Sequence, residues 1–276
     1  MKWNIVCDSS CDLSAISDAA IGYHKVPFII SSGTTDFVDD QNLVVSDMIH
    51  CVENEPTITH TSCPSPMSWY DKYMLGDVNI AITISKALSG SYNSAMVAKE
   101  MLAEDHPEKK VTVLDTFATS GNAILLVQEL VNLIHQGLSY EEVIERAQAY
   151  VAKEKCIFSL CSFDNLIKNG RMNKITGFIA SKLGFWGLGI GDEGKIKIIG
   201  KVRGAKTMFK RIITDMEERG LPQNKIVISH CLNASLAEEL KETIKEKWHS
   251  IEVEIFETSG LNSYYAERGG LIVCYI

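Results

Sequence analysis

The chain has 276 residues, of which 46% are hydrophobic and 22% are charged, a balance typical of a packed protein with one large or two ordinary domains. Its formal net charge of −8 argues against a nucleic-acid-binding protein, which would carry a basic surface. The apolar run at the N-terminus is too short for a signal peptide, and the stretch GFIASKLGFWGLGI is too short for a membrane span. We therefore expect a cytoplasmic protein with no integral membrane segment.

Strands alternate with helices through the first half of the chain. Strands are predicted at WNIVC, KVPFII, VNIAITI and KVTVLD, and helices at SYNSAMVAKEMLAE, SGNAILLVQELVNLIHQG and SYEEVIERAQAYVAKE. Gly137 is the predicted C-terminal cap of the second helix. Ser139 and Glu142 have the spacing of a capping box at the start of the third. The alternation predicts a parallel sheet with helices on both faces over residues 1–153.

Hairpins mix with helices in the second half, residues 154–276. Strands are predicted at CIFSLC, KIVISH, IEVEIF and LIVCYI, and helices at KTMFKRIITDMEER and SLAEELKETIKEKW. The stretch GLGIGDEGKIKIIGKVR predicts two strands joined by an Asp-Glu-Gly turn. This pattern indicates a mixed sheet, and the cleft between the two halves is the expected ligand site.

The cysteines and histidines do not have the spacing of metal ligands. The eight cysteines include no CxxC pair, and the seven histidines are scattered. Four of the eight cysteines fall in predicted apolar strands, so we interpret them as small buried side chains. The sequence therefore predicts neither a metal nor a cofactor.

Hydroxyl side chains collect where the predicted parallel strands end. Residues 83–95, TISKALSGSYNSA, lead from a strand into a helix, and DSSCDL, HTSCPSP and DTFATSGN are similar junctions. Such strand ends meet at one edge of a sheet, where helix N-termini offer free N–H groups to an anion. Neither GxGxxG nor GxxxxGK[ST] is present, so a carboxylate or a single phosphate fits better than a nucleotide. Asp8 and Asp12 are predicted to cap their own turn.

Ser89 has three interpretations at this point. As a nucleophile it needs a base, for which His60 and His230 are the candidates, but the GxSxG elbow is absent. As a helix cap, Ser89 or Ser91 suits the N-cap position. As an anion clamp, Ser89 would act with the N–H of Gly90, because glycine lets the backbone approach a ligand closely.

A second hydroxyl pair lies in the HTSCPSP loop. Thr61 and Ser62 are candidate donors to the same anion. The alternative is that Ser62 or Ser65 caps the following helix, whose early prolines are tolerated there.

Basic residues form a local patch in this acidic protein. The patch consists of Lys201, Arg203, Lys206, Lys210 and Arg211. It is either a solvated helix surface or a docking surface for an acidic or phosphate-bearing partner. Arg171 lies in an earlier turn of the sequence NGR.

Nine landmarks in order resemble the DegV family of bacterial fatty-acid-binding proteins. They are DSSCDL, VPF, TSCPSP, ISKALSGSYNSA, VLDTFATSGN, FDNLIKNGRMNK, GDEGKI, KVRGAK and VISH. The resemblance covers nearly the whole chain. It implies an α/β fold of two domains, a three-layer α/β/α parallel-sheet domain at residues 1–153 and a two-layer mixed-sheet α/β domain at residues 154–276.

The resemblance also implies a ligand and its binding residues. One long-chain fatty acid would lie in a tunnel between the domains, with its carboxyl group bound by Thr61 and Ser89 and with Ser62, Gly90 and Ser91 beside them. A chain of roughly 16 to 18 carbons would supply about 0.8 kcal/mol per buried CH₂. The hydroxyls and backbone N–H groups would pair the carboxyl group without a fixed cation in the pocket. The stretch GFIASKLGFWGLGI is expected in the tunnel wall.

The resemblance further implies a kinase partner. The bound acid would be handed to the catalytic subunit of an ATP-dependent fatty acid kinase, which makes an acyl phosphate for phospholipid synthesis. Arg203, Arg171 and Lys206 are the residues expected to meet that partner. The protein itself is therefore not expected to be an enzyme.

One position departs from the family pattern. Tyr265 aligns with a C-terminal histidine of the family, and it is the expected neighbour of the head group. Two other functions stay open, a serine-dependent hydrolase or phosphotransferase that uses Ser89, and a binding protein for a different amphipathic acid.

Overall fold

The computed structural model describes residues 2–173, 184–220, 222 and 224–276. Its strands are β1 (Trp3–Asp8), β2 (Gly22–Val26), β3 (Ile29–Ser32), β4 (Thr35–Val38), β5 (His60–Ser62), β6 (Val78–Thr83), β7 (Lys110–Asp115), β8 (Lys155–Leu160), β9 (Phe185–Asp192), β10 (Lys195–Arg203), β11 (Lys225–His230), β12 (Glu252–Glu257) and β13 (Leu271–Tyr275). Its helices are α1 (Val45–Asn54), α2 (Pro66–Tyr73), α3 (Ser91–Asp105), α4 (Gly121–His135), α5 (Tyr140–Val151), α6 (Asp164–Lys168), α7 (Ala205–Arg219), α8 (Ala234–Lys247) and α9 (Gly260–Ala266).

The first half is built around a parallel sheet with the strand order β2-β1-β6-β7. Its two faces follow the two-residue period of a strand. Val6 and Ala81 pack against α2 and α3 on one face, whereas Ile5 and Ile80 pack against α4 on the other. Because both faces are covered, β6 is buried along its whole length.

The second half is built around a mixed sheet with the order β10-β9-β8-β13-β11-β12, in which only the β11–β12 pairing is parallel. Ile157 and Ile228 face α7 and α8. Phe158 and Cys274 point to the opposite face, towards α4. The predicted fold class is confirmed. The α4 helix lies between the two sheets, and the domain boundary at residues 153 and 154 stays a prediction.

A third sheet, β4-β3-β5, was not predicted. The run KVPFII, predicted as one strand, is divided between two sheets, since β2 ends at Val26 and β3 begins at Ile29. Pro27 has no N–H to donate to a ladder. The N–H of Phe28 donates instead to Ser9 Oγ, 3.0 Å away. The chain therefore turns out of the parallel sheet at this point and forms the small sheet that carries Thr61.

Several local predictions are confirmed. Ser139 and Glu142 form the capping box of α5, and Gly137 follows α4 with a φ of 71°. Ser65, one of the two predicted caps of α2, accepts the N–H of Ser68. Over the described residues, the longest and most apolar helices fall short of what is needed to cross a membrane.

Candidate functional site

A cavity lies where the carboxyl edge of the parallel sheet meets the mixed sheet and α9. Its empty volume is about 840 Å³, part of which is open to solvent. Most of the lining is apolar and comes from both halves: Phe28, Ile84, Leu88, Phe158, Leu160, Leu166, Ile196, Leu261 and Ile272. The cavity therefore suits an apolar ligand.

Glycines in β9 make room for this cavity. Gly187, Gly189 and Gly191 alternate along the strand and lie on the same face. A methyl group at Gly189 would lie 2.2 Å from Cζ of Phe158, so the phenyl ring lies directly over this glycine. This part of β9 belongs to the stretch GFIASKLGFWGLGI that was expected in the wall. Residues 177–183 of that stretch lie outside the described residues.

Three hydroxyls and one guanidinium group lie together at one end of the cavity. Thr61 from β5, Ser89 from the loop before α3, Arg171 after α6 and Tyr265 from α9 all line it. Thr61, Ser89 and Tyr265 were expected to meet there from the sequence. Thr119 and Asn262 also line the cavity, but Thr119 Oγ1 donates to Asn262 Oδ1 at 2.6 Å.

Thr61 and Tyr265 are joined directly. The distance between Thr61 Oγ1 and the Tyr265 phenol oxygen is 2.8 Å, and either atom can donate. Burial raises the pKa of Tyr265 above its ordinary value, although the bond to Thr61 and the charge of Arg171 act in the opposite direction. The phenol therefore stays protonated at neutral pH and can donate one hydrogen bond, either to Thr61 or to a ligand.

Ser89 lies in the turn that starts α3. Its N–H donates to the carbonyl of Ser85, and its Oγ accepts the N–H of Ser91 at 3.2 Å. The hydroxyl hydrogen is then directed to another acceptor, such as a ligand oxygen. The prediction that Ser89 or Ser91 is the N-cap was wrong, because Gly90 holds that position.

The remaining predicted ligand residues lie around the cavity and not in its lining. Ser91 Oγ is buried and donates to Asp8 Oδ2 at 2.7 Å, which explains why it does not cap the helix. Gly90 packs against the other hydroxyl loop, since a methyl group there would lie 3.4 Å from Cys63 Sγ. Ser62 is exposed on β5 and follows Thr61, so the two side chains point to opposite faces.

Arg171 corrects the expectation of a pocket without a cation. Its Nε donates to the carbonyl of Leu88 at 3.3 Å and its Nη1 to the carbonyl of Asn169 at 2.6 Å. The guanidinium carbon lies 6.0 Å from the centre of the Tyr265 ring, within reach of a cation–π interaction. The NGR turn thus places a fixed positive charge beside Ser89 and Tyr265.

Two buried aspartates hold α9 in place, and their role was not predicted. Asp12 accepts hydrogen bonds from Ser120, from the backbone and hydroxyl of Ser259, and from Asn262. Asp39 accepts the N–H groups of Gly260 and Leu261 at the start of the helix. The prediction that Asp12 caps its own turn was therefore wrong, whereas Asp8 does accept the N–H of Ser10.

The histidines proposed as bases lie elsewhere. His60 is exposed on β5, and His230 Nδ1 accepts the N–H of Asn233 beside the mixed sheet. In the described part of the chain, no histidine forms a hydrogen bond with Ser89. The geometry of a serine nucleophile with its base is not formed in this structure.

The basic patch lies on the outer edge of the mixed sheet. Arg203 is exposed at the end of β10, with its guanidinium carbon 5.5 Å from the centre of the Phe185 ring. Lys206 is exposed in the first turn of α7. These two residues are therefore separate from Arg171, which lines the cavity.

Comparisons with known proteins show similarity along the whole chain. The family model described as "Uncharacterised protein, DegV family" matches residues 2–276. A DegV domain-containing protein of Streptococcus pyogenes serotype M3 is 36% identical over 278 residues, covering 100% of this chain and 99% of the relative. The structure of the Fatty Acid Kinase (Fak) B3 protein of Streptococcus pneumoniae, loaded with linoleic acid, is 34% identical, with a TM-score of 0.96 and coverage of 100% and 99%.

A DegV family protein from Eubacterium eligens, loaded with heptadecanoic acid, is 32% identical, with a TM-score of 0.95 and coverage of 99% of both chains. The similarity of these proteins extends over the sequence and the fold together. The chain belongs to the DegV family.

Proposed function

We propose that this protein binds one long-chain fatty acid in the cavity, with the carboxylate against Thr61, Ser89, Tyr265 and Arg171. The observation that carries the proposal is the composition of the lining, which is mostly apolar and has three hydroxyls and a guanidinium group close together. Its other polar residues are Thr119, Asn262 and Lys195. A fatty acid is likewise apolar along its chain and polar at one end. Similar proteins loaded with heptadecanoic and linoleic acid support this ligand class.

The energetics favour such a ligand. About 15 buried methylenes would contribute roughly 12 kcal/mol at about 0.8 kcal/mol each, before the losses on association. A buried carboxylate without partners would cancel much of this gain. Ser89 and Tyr265 supply hydroxyl donors, and Arg171 supplies a charge-assisted one. The acid is thus paired at its head and desolvated along its chain.

We further propose that the protein presents the carboxyl group to an ATP-dependent fatty acid kinase. In this scheme the chain supplies the substrate and the kinase supplies the catalytic groups, and an ATP-dependent partner places both in the cytoplasm. The exposed side chains of Arg203 and Lys206 would meet the partner. Similarity to the Fak B3 protein supports this role.

The first experiment identifies the ligand. Purified protein extracted with organic solvent, or sprayed intact under native conditions, is expected to release one fatty acid of about 16 to 18 carbons, a length that suits the burial energy above. Protein stripped of lipid should bind hexadecanoic acid again. If the stripped protein fails to bind hexadecanoic acid, the proposal is excluded. If the extract contains a different amphipathic acid, that acid is the ligand and not a fatty acid.

Loss of single head-group residues is expected to weaken binding. Ser89→Ala, Thr61→Val and Arg171→Met each remove a donor from a buried carboxylate, so each should weaken the binding of hexadecanoic acid by about 1–3 kcal/mol, a rise in Kd of roughly 5- to 150-fold. Isothermal titration measures this change. Ser62→Ala is the matched control, because that hydroxyl lies on the exposed side of the same strand, and its Kd should stay unchanged. Equal affinity in the Ser89→Ala/Thr61→Val double variant would refute the head-group assignment.

The kinase role has its own test. Loaded protein is mixed with a fatty acid kinase catalytic subunit and ATP, and acyl phosphate is measured. Arg203→Glu is expected to slow this reaction at unchanged hexadecanoic acid affinity, because the exposed patch is remote from the cavity lining. Lys245→Glu, which makes the same charge change at an exposed position of α8, controls for net charge. If Arg203→Glu does not slow the reaction, the basic patch is not part of the partner interface.

A further inference from the structure

The tip of the β9–β10 hairpin forms part of the cavity wall. Gly191, Gly194 and Lys195 all line the cavity. Because Asp192 pairs with Lys195, the two strands are joined by a short loop of Glu193 and Gly194. Both loop residues have a positive φ, 50° and 80°, as a type I′ turn requires. The hairpin belongs to the second half of the chain, but its tip reaches the first half.

Ser85 joins this tip to the first half. It lies just after β6 and is fully buried. Its Oγ donates to the carbonyl of Gly194 at 2.7 Å. A methyl group at Gly194 would lie 2.5 Å from the same Oγ, so the close approach of the two chains requires a glycine there. The two halves therefore meet at a specific contact beside the cavity.

Ser85 also shapes the loop that carries Ser89. Its carbonyl oxygen accepts the N–H groups of Leu88 and Ser89, with N–O distances of 3.0 and 3.2 Å. Its Oγ accepts the N–H of Ala87 at 3.2 Å. Three successive N–H groups are thus held by one residue. The Ser85 hydroxyl uses its proton on the hairpin and a lone pair on the loop, so it links the positions of the two.

The ends of this loop are anchored to β1. Asp8 is 1% exposed, and its Oδ2 accepts the N–H of Ile84 at 3.0 Å and the hydroxyl of Ser91 at 2.7 Å. The segment between these two anchors contains Ser89. A change in the contact with the hairpin therefore acts on this segment and not on the sheet below it.

We infer that Ser85 is a positioning residue, which sets the position of the Ser89 hydroxyl through its bond to Gly194. Among the described residues, Ser85 is not one of those that line the cavity, so it acts through Ser89 and not by direct contact with a ligand. The head-group site is then complete only when the hairpin tip is in place. This inference deepens the proposed function and rests on it, since Ser89 must bind the carboxylate.

The first test needs no ligand. Hydrogen–deuterium exchange is measured by mass spectrometry on protein stripped of lipid. Gly194→Ala is expected to speed exchange at residues 85–90 by roughly three- to tenfold, although the substitution lies in the other half of the chain. Gly204→Ala is the matched control for backbone strain, because Gly204 has a φ of 84° and its methyl group would meet open space. Unchanged exchange at residues 85–90 in the Gly194 variant would overturn the inference.

The second test measures the consequence for binding by isothermal titration with hexadecanoic acid. Ser85→Ala is expected to weaken binding by roughly three- to tenfold, because the Ser89 hydroxyl is no longer held in place. In the Ser89→Ala background the same substitution should change the Kd by no more than about twofold. Ser46→Ala, on the exposed side of α1, is the control and should leave the Kd unchanged.

A merely structural role for Ser85 would give a different pattern. The loss from Ser85→Ala would then be the same with and without the Ser89 hydroxyl, and that result would overturn the inference. If the wild-type protein does not bind hexadecanoic acid, the proposed function is wrong. The exchange experiment still decides in that case whether the hairpin positions the loop.

Discussion

Replacing Gly189 with alanine is expected to remove much of the affinity for long acyl chains. The new methyl group would lie 2.2 Å from Cζ of Phe158 and 3.0 Å from the carbonyl oxygen of Lys197. The carbonyl belongs to the neighbouring strand, so the phenyl ring must move, and the cavity is the open space beside it. If the ring displaces two to four methylenes of the ligand, at about 0.8 kcal/mol each, binding weakens by roughly 15- to 200-fold.

The measurement is a titration with acids of decreasing chain length. The loss should be largest for the longest acids, and the preferred length should become shorter. Crowding of the ring should also lower the free energy of unfolding by about 1–3 kcal/mol. Gly191→Ala is the control for stability only, because its methyl group would meet Cys156 Cβ at 3.6 Å, an ordinary contact, but would lie in the cavity lining. Unchanged chain-length preference in the Gly189 variant would mean that Phe158 does not bound the ligand.

Asp12→Ala is expected to cause the largest loss of stability. Asp12 is 8% exposed and accepts hydrogen bonds from Ser120, Ser259 and Asn262. Removing it leaves the Ser120 hydroxyl and the Ser259 N–H without their acceptor, whereas the Ser259 hydroxyl and Asn262 Nδ2 keep the carbonyls of Ser9 and Ser10. Each orphaned donor destabilises the fold by about 1–3 kcal/mol. Because such losses are not additive, we expect a decrease of about 3–5 kcal/mol in the free energy of unfolding. Urea denaturation followed by circular dichroism measures it.

Two further substitutions make this result specific. Asp12→Asn keeps one acceptor oxygen and should lose less stability than Asp12→Ala. Asp71→Ala removes an exposed carboxylate from α2 and should change stability by no more than about 0.5 kcal/mol. A decrease below about 1 kcal/mol for Asp12→Ala would show that α9 is held by other contacts, with Asp39 as the next candidate.

The main elements could be predicted because their signals are local. The central strands β1 and β6 are mostly apolar runs, since both faces of the sheet are buried there, and the capping box at Ser139 is complete within four residues. The three-stranded sheet has no such signal. Its strands β4 and β5 have four and three residues and are mostly exposed, and β3 pairs with both across chain reversals.

The site was predicted only where the family pattern supplied it. Thr61 and Tyr265 are 204 residues apart, and no local rule could show that their hydroxyls meet. Asp12 was interpreted through its own turn, the nearest local explanation, whereas two of its partners are about 250 residues away. Arg171 was assigned to the partner surface because the turn geometry that directs it to Leu88 forms only in three dimensions. The alternating glycines of β9 are visible in the sequence, but we interpreted them only as part of a loosely patterned apolar stretch.

The cavity wall is assembled from both halves of the chain, with Ser89 and Phe28 from the first and Phe158 and Tyr265 from the second. Occupancy and folding are therefore thermodynamically linked, because neither half alone contains the complete site. At a free ligand concentration of 100 Kd, a bound acid would add about 2.7 kcal/mol to the stability of the whole protein. A bound acid that contacts both halves would therefore stabilise their packing against each other.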